Sequence, residues 1–181
     1  TISRIAPERF QITGSSIFQG FHLRWFQQHL PAGGVDIRNI SLERIGFQIA
    51  GPNARELLAR ASDADVSAEA VPFLSVREMD VGGIPAMINR VTFTGDLGYE
   101  IYVDTGNQVT LYEALAAAGG DLGLTPFGMR AMMSLRLEKN YGAWLREYRP
   151  DYTAEETGLG RFISFKKGDF IGREAAEQER D

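Results

Sequence analysis

The sequence contains no cysteine. Disulfides, thiolate catalysis, iron–sulfur clusters and cysteine-ligated zinc are therefore excluded within these residues. Histidine is nearly missing too. His22 and His29 stand seven residues apart with no acidic partner in register, which is not metal-ligand spacing. No apolar run reaches the roughly 18 residues of a membrane-spanning helix, and residues 1–15 do not follow the charged-then-apolar pattern of a secretory leader. Nor is there a G-x-G-x-x-G fingerprint after a strand, a G-x-x-x-x-G-K-S/T phosphate loop or a G-x-S-x-G nucleophile elbow. Positive charge is in short supply: 19 Lys and Arg face 24 Asp and Glu, a net charge of -5. That balance argues against nucleic acid as a partner.

What is present is an ordinary globular composition. The 181 residues are 44% apolar and 24% charged, enough for one full-sized domain or two small ones. The first residue is Thr1, and "TISRIAPERFQITG" reads as a polar lead followed by a strand, in the middle of something longer. The end, "FIGREAAEQERD", reads as the start of a helix. The expectation is a piece of a larger polypeptide.

Strand and helix patterns interleave without a strict βαβ period, so the predicted class is α+β, with mixed or antiparallel sheets and packed helices. "RFQITG" (Arg9–Gly14) reads as a short strand. Ser15 or Ser16 is then the expected cap of a helix running through His29. "VDIRNI" and "ERIGFQIAG" read as strands, and "GPNARELLARA" as a helix with Pro52 in its first position. "VREMDV" and "IPAMINRVTF" flank Gly82–Gly83 as a β-hairpin. "NQVTLYEALAAAG" predicts a helix stopped by Gly119–Gly120, and "TPFGMRAMMSLRLEKN" one capped by Thr125 with Pro126 first. "RFISF" reads as a strand and the tail as helix.

The stretch with most chemistry is "FTGDLGYEIYV", residues 93–103. Gly95 and Gly98 permit positive φ, so the chain can turn sharply there. Tyr99, Ile101 and Val103 then alternate with Glu100, Tyr102 and Asp104. If Ile101 enters the core, Glu100 faces solvent or a cleft, and spacing alone favours a solvated strand carboxylate. In and around "SLRLEK", Met129, Met132, Met133, Leu135 and Leu137 suggest a helix buried on most sides, where an Arg needs a partner. The aromatics and arginines of "NYGAWLREYRPDY" suit either stacking on a planar ligand or a loop pinned by its own rings.

Three segments in combination, "FTGDLGYEIYV", "GMRAMMSLRLEKNYGAW" and "EETGLGRFISFKKGDFIGREA", carry a family resemblance. From about Ile5 to about Glu174 the chain resembles the folate-binding region shared by the glycine-cleavage T-protein (aminomethyltransferase) and the dimethylglycine and sarcosine dehydrogenases. It looks closer to the dehydrogenase branch. The resemblance implies a partial domain over residues 1–174, with 175–181 leading toward a C-terminal barrel. It implies tetrahydrofolate as cofactor, and FAD only in a separate upstream domain. It also implies a flavin domain or a lipoyl carrier protein as partner, with neither nucleic acid nor membrane.

In that family the Glu after the glycine turn accepts hydrogen bonds from the pterin edge, whose ring N–H and exocyclic amine match a carboxylate bidentately. Glu100 occupies that position. Phe93 stands where part of the family has a pocket Tyr. The arginine for folate's anionic tail has two candidates, Arg130 and Arg136, because the T-protein's position falls on Met132 here. Tyr141 and Trp144 match the pocket rim, and Arg161 replaces a pocket Trp. No catalytic residue is assigned: the family's Asp lies upstream of Thr1. The implied function is a tetrahydrofolate-binding segment that accepts a one-carbon unit in a dimethylglycine- or sarcosine-dehydrogenase-like enzyme. A glycine-cleavage-type aminomethyltransferase and a non-catalytic folate-binding or remnant domain are the alternatives. The implied compartment is the bacterial cytoplasm or the mitochondrial matrix.

Overall fold

In the computed structural model, which describes residues 1–180, the chain opens with two antiparallel strands, β1 (Ile2–Ala6) and β2 (Arg9–Ile12). The polar lead is thus itself a strand, satisfied by its neighbour. A 3-10 turn at Ser16–Phe18 leads into α1 (Gln19–Gln28). Ser15 precedes that turn without a side-chain capping bond. Residues 35–40, expected as a strand, form none. The Asn39 carboxamide oxygen accepts the Ser41 N–H at 2.9 Å, a local turn that competes with sheet pairing.

β3 (Arg44–Ala50) follows, then α2 (Ala54–Ala61). Pro52 lies in the turn before α2, and Asn53 takes the N-cap. β4 (Val76–Val81) and β5 (Ile84–Asn89) form the expected hairpin, with Gly82 and Gly83 at φ 61° and 75°. Two consecutive positive φ angles are what a two-residue hairpin turn demands. β6 (Gly98–Asp104) and α3 (Gln108–Ala118) complete the central part. The sheet order is β3-β6-β5-β4, antiparallel throughout. Ile49, Ile88, Tyr99, Ile101 and Val103 on one sheet face pack with Leu57 and Leu58 of α2 and Leu111 and Leu115 of α3. The fold is α+β, with the strand alternation of β6 sending its apolar residues into this core.

α4 (Met129–Glu138) starts later than expected. Thr125 donates its hydroxyl to the Gly123 carbonyl rather than capping, and Gly128 becomes the N-cap. Nor is α4 buried on most sides: Met129 and Leu137 are exposed, and Arg136 is its one buried residue. The chain divides into two compact units, Thr1–Lys139 and Asn140–Asp181. Within the second, "RFISF" is a 3-10 turn (Gly160–Phe162), closed by the Phe162 and Ile163 N–H groups donating to Leu159 and Gly160. α5 (Arg173–Gln178) forms the tail helix. Among the described residues no helix is long and apolar enough to cross a membrane.

Candidate functional site

Glu100 sits mid-sheet, on the face opposite the core. Directly across from it lie Gln48 on β3 and Asn89 on β5. Opposed residues share a face, so Gln48, Glu100 and Asn89 form one polar row across three strands. Glu100 is partly exposed. The Tyr102 hydroxyl donates to its Oε2 at 2.8 Å. Burial first, and then the charge and hydrogen bond of Glu100, push the Tyr102 phenol above the ordinary tyrosine range; a Thr13 hydrogen bond opposes this. The two flanking amides differ from the carboxylate. Gln48 Nε2 and Asn89 Nδ2 are buried with no hydrogen-bond partner among the described residues, while Asn89 Oδ1 accepts the Ser3 hydroxyl at 3.2 Å. A buried N–H without an acceptor costs about 1–3 kcal/mol. Both nitrogens are shut off from bulk solvent, so an enclosed water or a small side-chain shift is what would relieve them.

The turn that delivers Glu100 is held from several sides. Gly95 takes φ 77°, a true left-handed turn position. Gly98 does not. Its role is close approach: a Cβ there would collide with the Ile49 carbonyl and the Thr92 side chain, and would lie 2.9 Å from Ala50 Cα. Two glycines read as equivalent thus have different duties. The Thr92 hydroxyl donates to the Asp96 carbonyl at 2.8 Å, and the Gly51 N–H donates to Leu97 at 2.8 Å. Just past α4, Lys139 pairs with Asp96 at 3.6 Å, tying that helix to the turn. An open groove of about 630 Å³ lies beside α2, lined by residues including Pro52, Arg55, Asp65 and Leu97. Glu100 and its cross-strand partners do not line it, so concavity alone does not mark this site.

A family model described as the GCVT N-terminal domain matches residues 1–167. The chain belongs to the GCVT N-terminal domain family. Human mitochondrial dimethylglycine dehydrogenase is 36% identical over 181 residues, covering 98% of this chain and 21% of that protein. Aminomethyltransferase from Caldanaerobacter subterraneus subsp. tengcongensis is 33% identical over 159 residues, covering 87% of this chain and 42% of that protein. The chain thus spans about a fifth of the first relative and about two fifths of the second. The heterotetrameric sarcosine oxidase from Corynebacterium sp. U-96, solved in complex with pyrrole 2-carboxylate, superposes with TM-score 0.56 at 17% identity. That match covers 70% of this chain and 63% of that one, and it shows the fold.

In this GCVT-type domain the other expected residues are placed as follows. Phe93 is half-buried at the start of the turn that leads to Glu100. Arg130 is exposed on α4, whereas Arg136 is 3% exposed and donates Nε–H to Met133 Sδ at 3.3 Å. Six residues apart, the two arginines point to different faces. In the second unit, Tyr141 and Trp144 are exposed, and Arg161 lies over the Phe162 ring at 4.9 Å. The aromatic loop there is pinned by its own groups. The Ala143 N–H donates to Glu147 Oε2 at 2.9 Å, the Leu145 N–H donates to the Tyr148 carbonyl at 2.8 Å, and Gly142 abuts the Tyr148 ring. Sequence reasoning did not single out Gln48, Asn89 or Tyr102. Only Tyr102 carried a signal, being two residues from Glu100 on the same strand face.

Proposed function

We propose that this chain forms the heterocycle-binding side of a tetrahydrofolate site, with Glu100 accepting hydrogen bonds from the pterin edge. The observation that carries the reading is Glu100 itself: a partly exposed carboxylate in the middle of the sheet, with Gln48 and Asn89 beside it on the same face. The accessible acceptor fits the group: a carboxylate accepts two adjacent N–H donors. Tetrahydrofolate, when bound, supplies the nitrogen that receives a one-carbon unit. This chain's residues bind and orient: Glu100 takes the pterin edge, Phe93 supplies apolar wall, and exposed Arg130 is the cation for the anionic tail. Buried Arg136 belongs to the packing of α4.

The parent activity we favour is of the dimethylglycine- or sarcosine-dehydrogenase type, with a flavin domain as partner oxidising an N-methyl amine. Identity to dimethylglycine dehydrogenase across 98% of the chain supports it. A glycine-cleavage-type aminomethyltransferase, partnered by a lipoyl carrier protein, is the second reading, supported by 33% identity over 87% of the chain. Copurification with flavin favours the first; turnover with an aminomethyl-loaded lipoyl carrier favours the second. The bacterial cytoplasm or the mitochondrial matrix is the compartment this reading implies.

The test of the site is Glu100→Gln in the intact protein, followed by titration calorimetry with tetrahydrofolate. The expected loss is about 1.5–3 kcal/mol, the range for a hydrogen bond to a charged group. Unchanged affinity would return Glu100 to the role of a solvated strand carboxylate.

A further inference from the structure

A partly exposed carboxylate can sample several rotamers, and a binding site needs one. We propose that Tyr102 is the positioning residue that fixes the Glu100 carboxylate, and that the bare backbone of Gly46 is what seats it. This rests on the reading of Glu100 as the pterin-binding group. Tyr102 follows Glu100 by two residues on β6, so both side chains rise from one face. Its hydroxyl donates to Glu100 Oε2 at 2.8 Å, leaving Oε1 and the remaining lone pairs for a ligand. Directly across on β3 stands Gly46. A Cβ at Gly46 would lie 2.8 Å from Tyr102 Cε1 and 3.0 Å from Cδ1, closer than real Cβ atoms come. The ring occupies the space that any other residue would fill. Thr13 also hydrogen-bonds the phenol.

With Oε2 held, the carboxylate presents a fixed acceptor edge. The ligand class it selects is a planar heterocycle carrying two neighbouring N–H donors, and an analogue with a carbonyl in place of the exocyclic amine is disfavoured.

The experiment is a variant set in the intact protein: Tyr102→Phe, Gly46→Ala, the double variant and Glu100→Gln. Each is titrated with tetrahydrofolate after circular dichroism confirms the fold. Tyr102→Phe keeps the ring and removes the hydroxyl; Gly46→Ala keeps the hydroxyl and displaces the ring. Each is expected to weaken binding about tenfold, one hydrogen bond to a charged group. The double variant should be no weaker than the worse single, because both break the same bond. If Glu100→Gln weakens binding and Tyr102→Phe does not, Tyr102 has no positioning role, while the folate reading survives. If Glu100→Gln has no effect, the folate reading falls. The pair is then judged without ligand, by carbon NMR of the Tyr102 ring carbon that bears the hydroxyl. In Glu100→Gln that carbon should titrate at lower pH than in the parent; an unmoved titration overturns the pairing. Should Gly46→Ala fail to fold, Tyr102→Phe and the NMR titration still decide.

Discussion

At the residue scale, the glycines around Glu100 separate two physical demands. Gly95 is needed for its φ of 77°. Gly98 sits in a conformation open to any residue, yet β3 approaches so closely that a methyl group would strike the Ile49 carbonyl and the Thr92 side chain. Backbone cannot step aside as a flexible side-chain tip can. Gly98→Ala should therefore destabilise the protein by about 1–3 kcal/mol, the usual cost of overpacking. A urea titration checks this, and an unshifted midpoint would mean that the β3–β6 approach is looser than described. A motif search sees the two glycines as a pair; only the strand pairing tells them apart.

At the element scale, α2 is tied to the segment after α3 by charge. Arg60 bonds Glu56 one turn back at 2.9 Å and also bonds Asp121. The hydrogen bond from Arg60 holds the Asp121 carboxyl below the ordinary value of 3.8. A depressed carboxylate stabilises the fold fully above its unfolded pKa, and that contribution is lost as pH falls through the folded one. Asp121→Asn should thus lower the urea midpoint slightly near neutral pH, and the gap to the parent should close in acid well below 3.8. The pair is exposed, so added salt should shrink the gap as well. A gap that persists in acid would assign the effect to packing. Element legibility followed locality. The β4–β5 hairpin was readable from its double glycine and flanking apolar runs, whereas residues 35–40 carried strand-like residues but no partner strand.

At the scale of the whole molecule, the buried apolar residues are unevenly shared. Of those in the core, all but Ala143 lie in the unit Thr1–Lys139. Local stability tracks buried apolar contact. Amide hydrogens from Asn140 onward should accordingly exchange faster than those of β5 and β6, with mass spectrometry of peptides as the readout. Protection beyond Asn140 equal to that of the central sheet would show that this unit is stabilised by something other than its own core. Family membership covers residues 1–167, while the chain spans about a fifth of the dimethylglycine dehydrogenase and about two fifths of the aminomethyltransferase.

What the sequence determined by itself was local: the alternation that turns Ile101 inward and Glu100 outward, the hairpin at Gly82–Gly83, the helix that follows Pro52, and the exclusion of thiol chemistry within these residues. Each is written within a few consecutive residues, where periodicity and backbone preference act. Tertiary structure alone decided the register that brings Gln48 and Asn89 beside Glu100, the seating of Tyr102 against Gly46, and the exposure of α4 around a buried Arg136. Those depend on which distant segments pair and which faces win burial, a competition over the whole chain that no short window records.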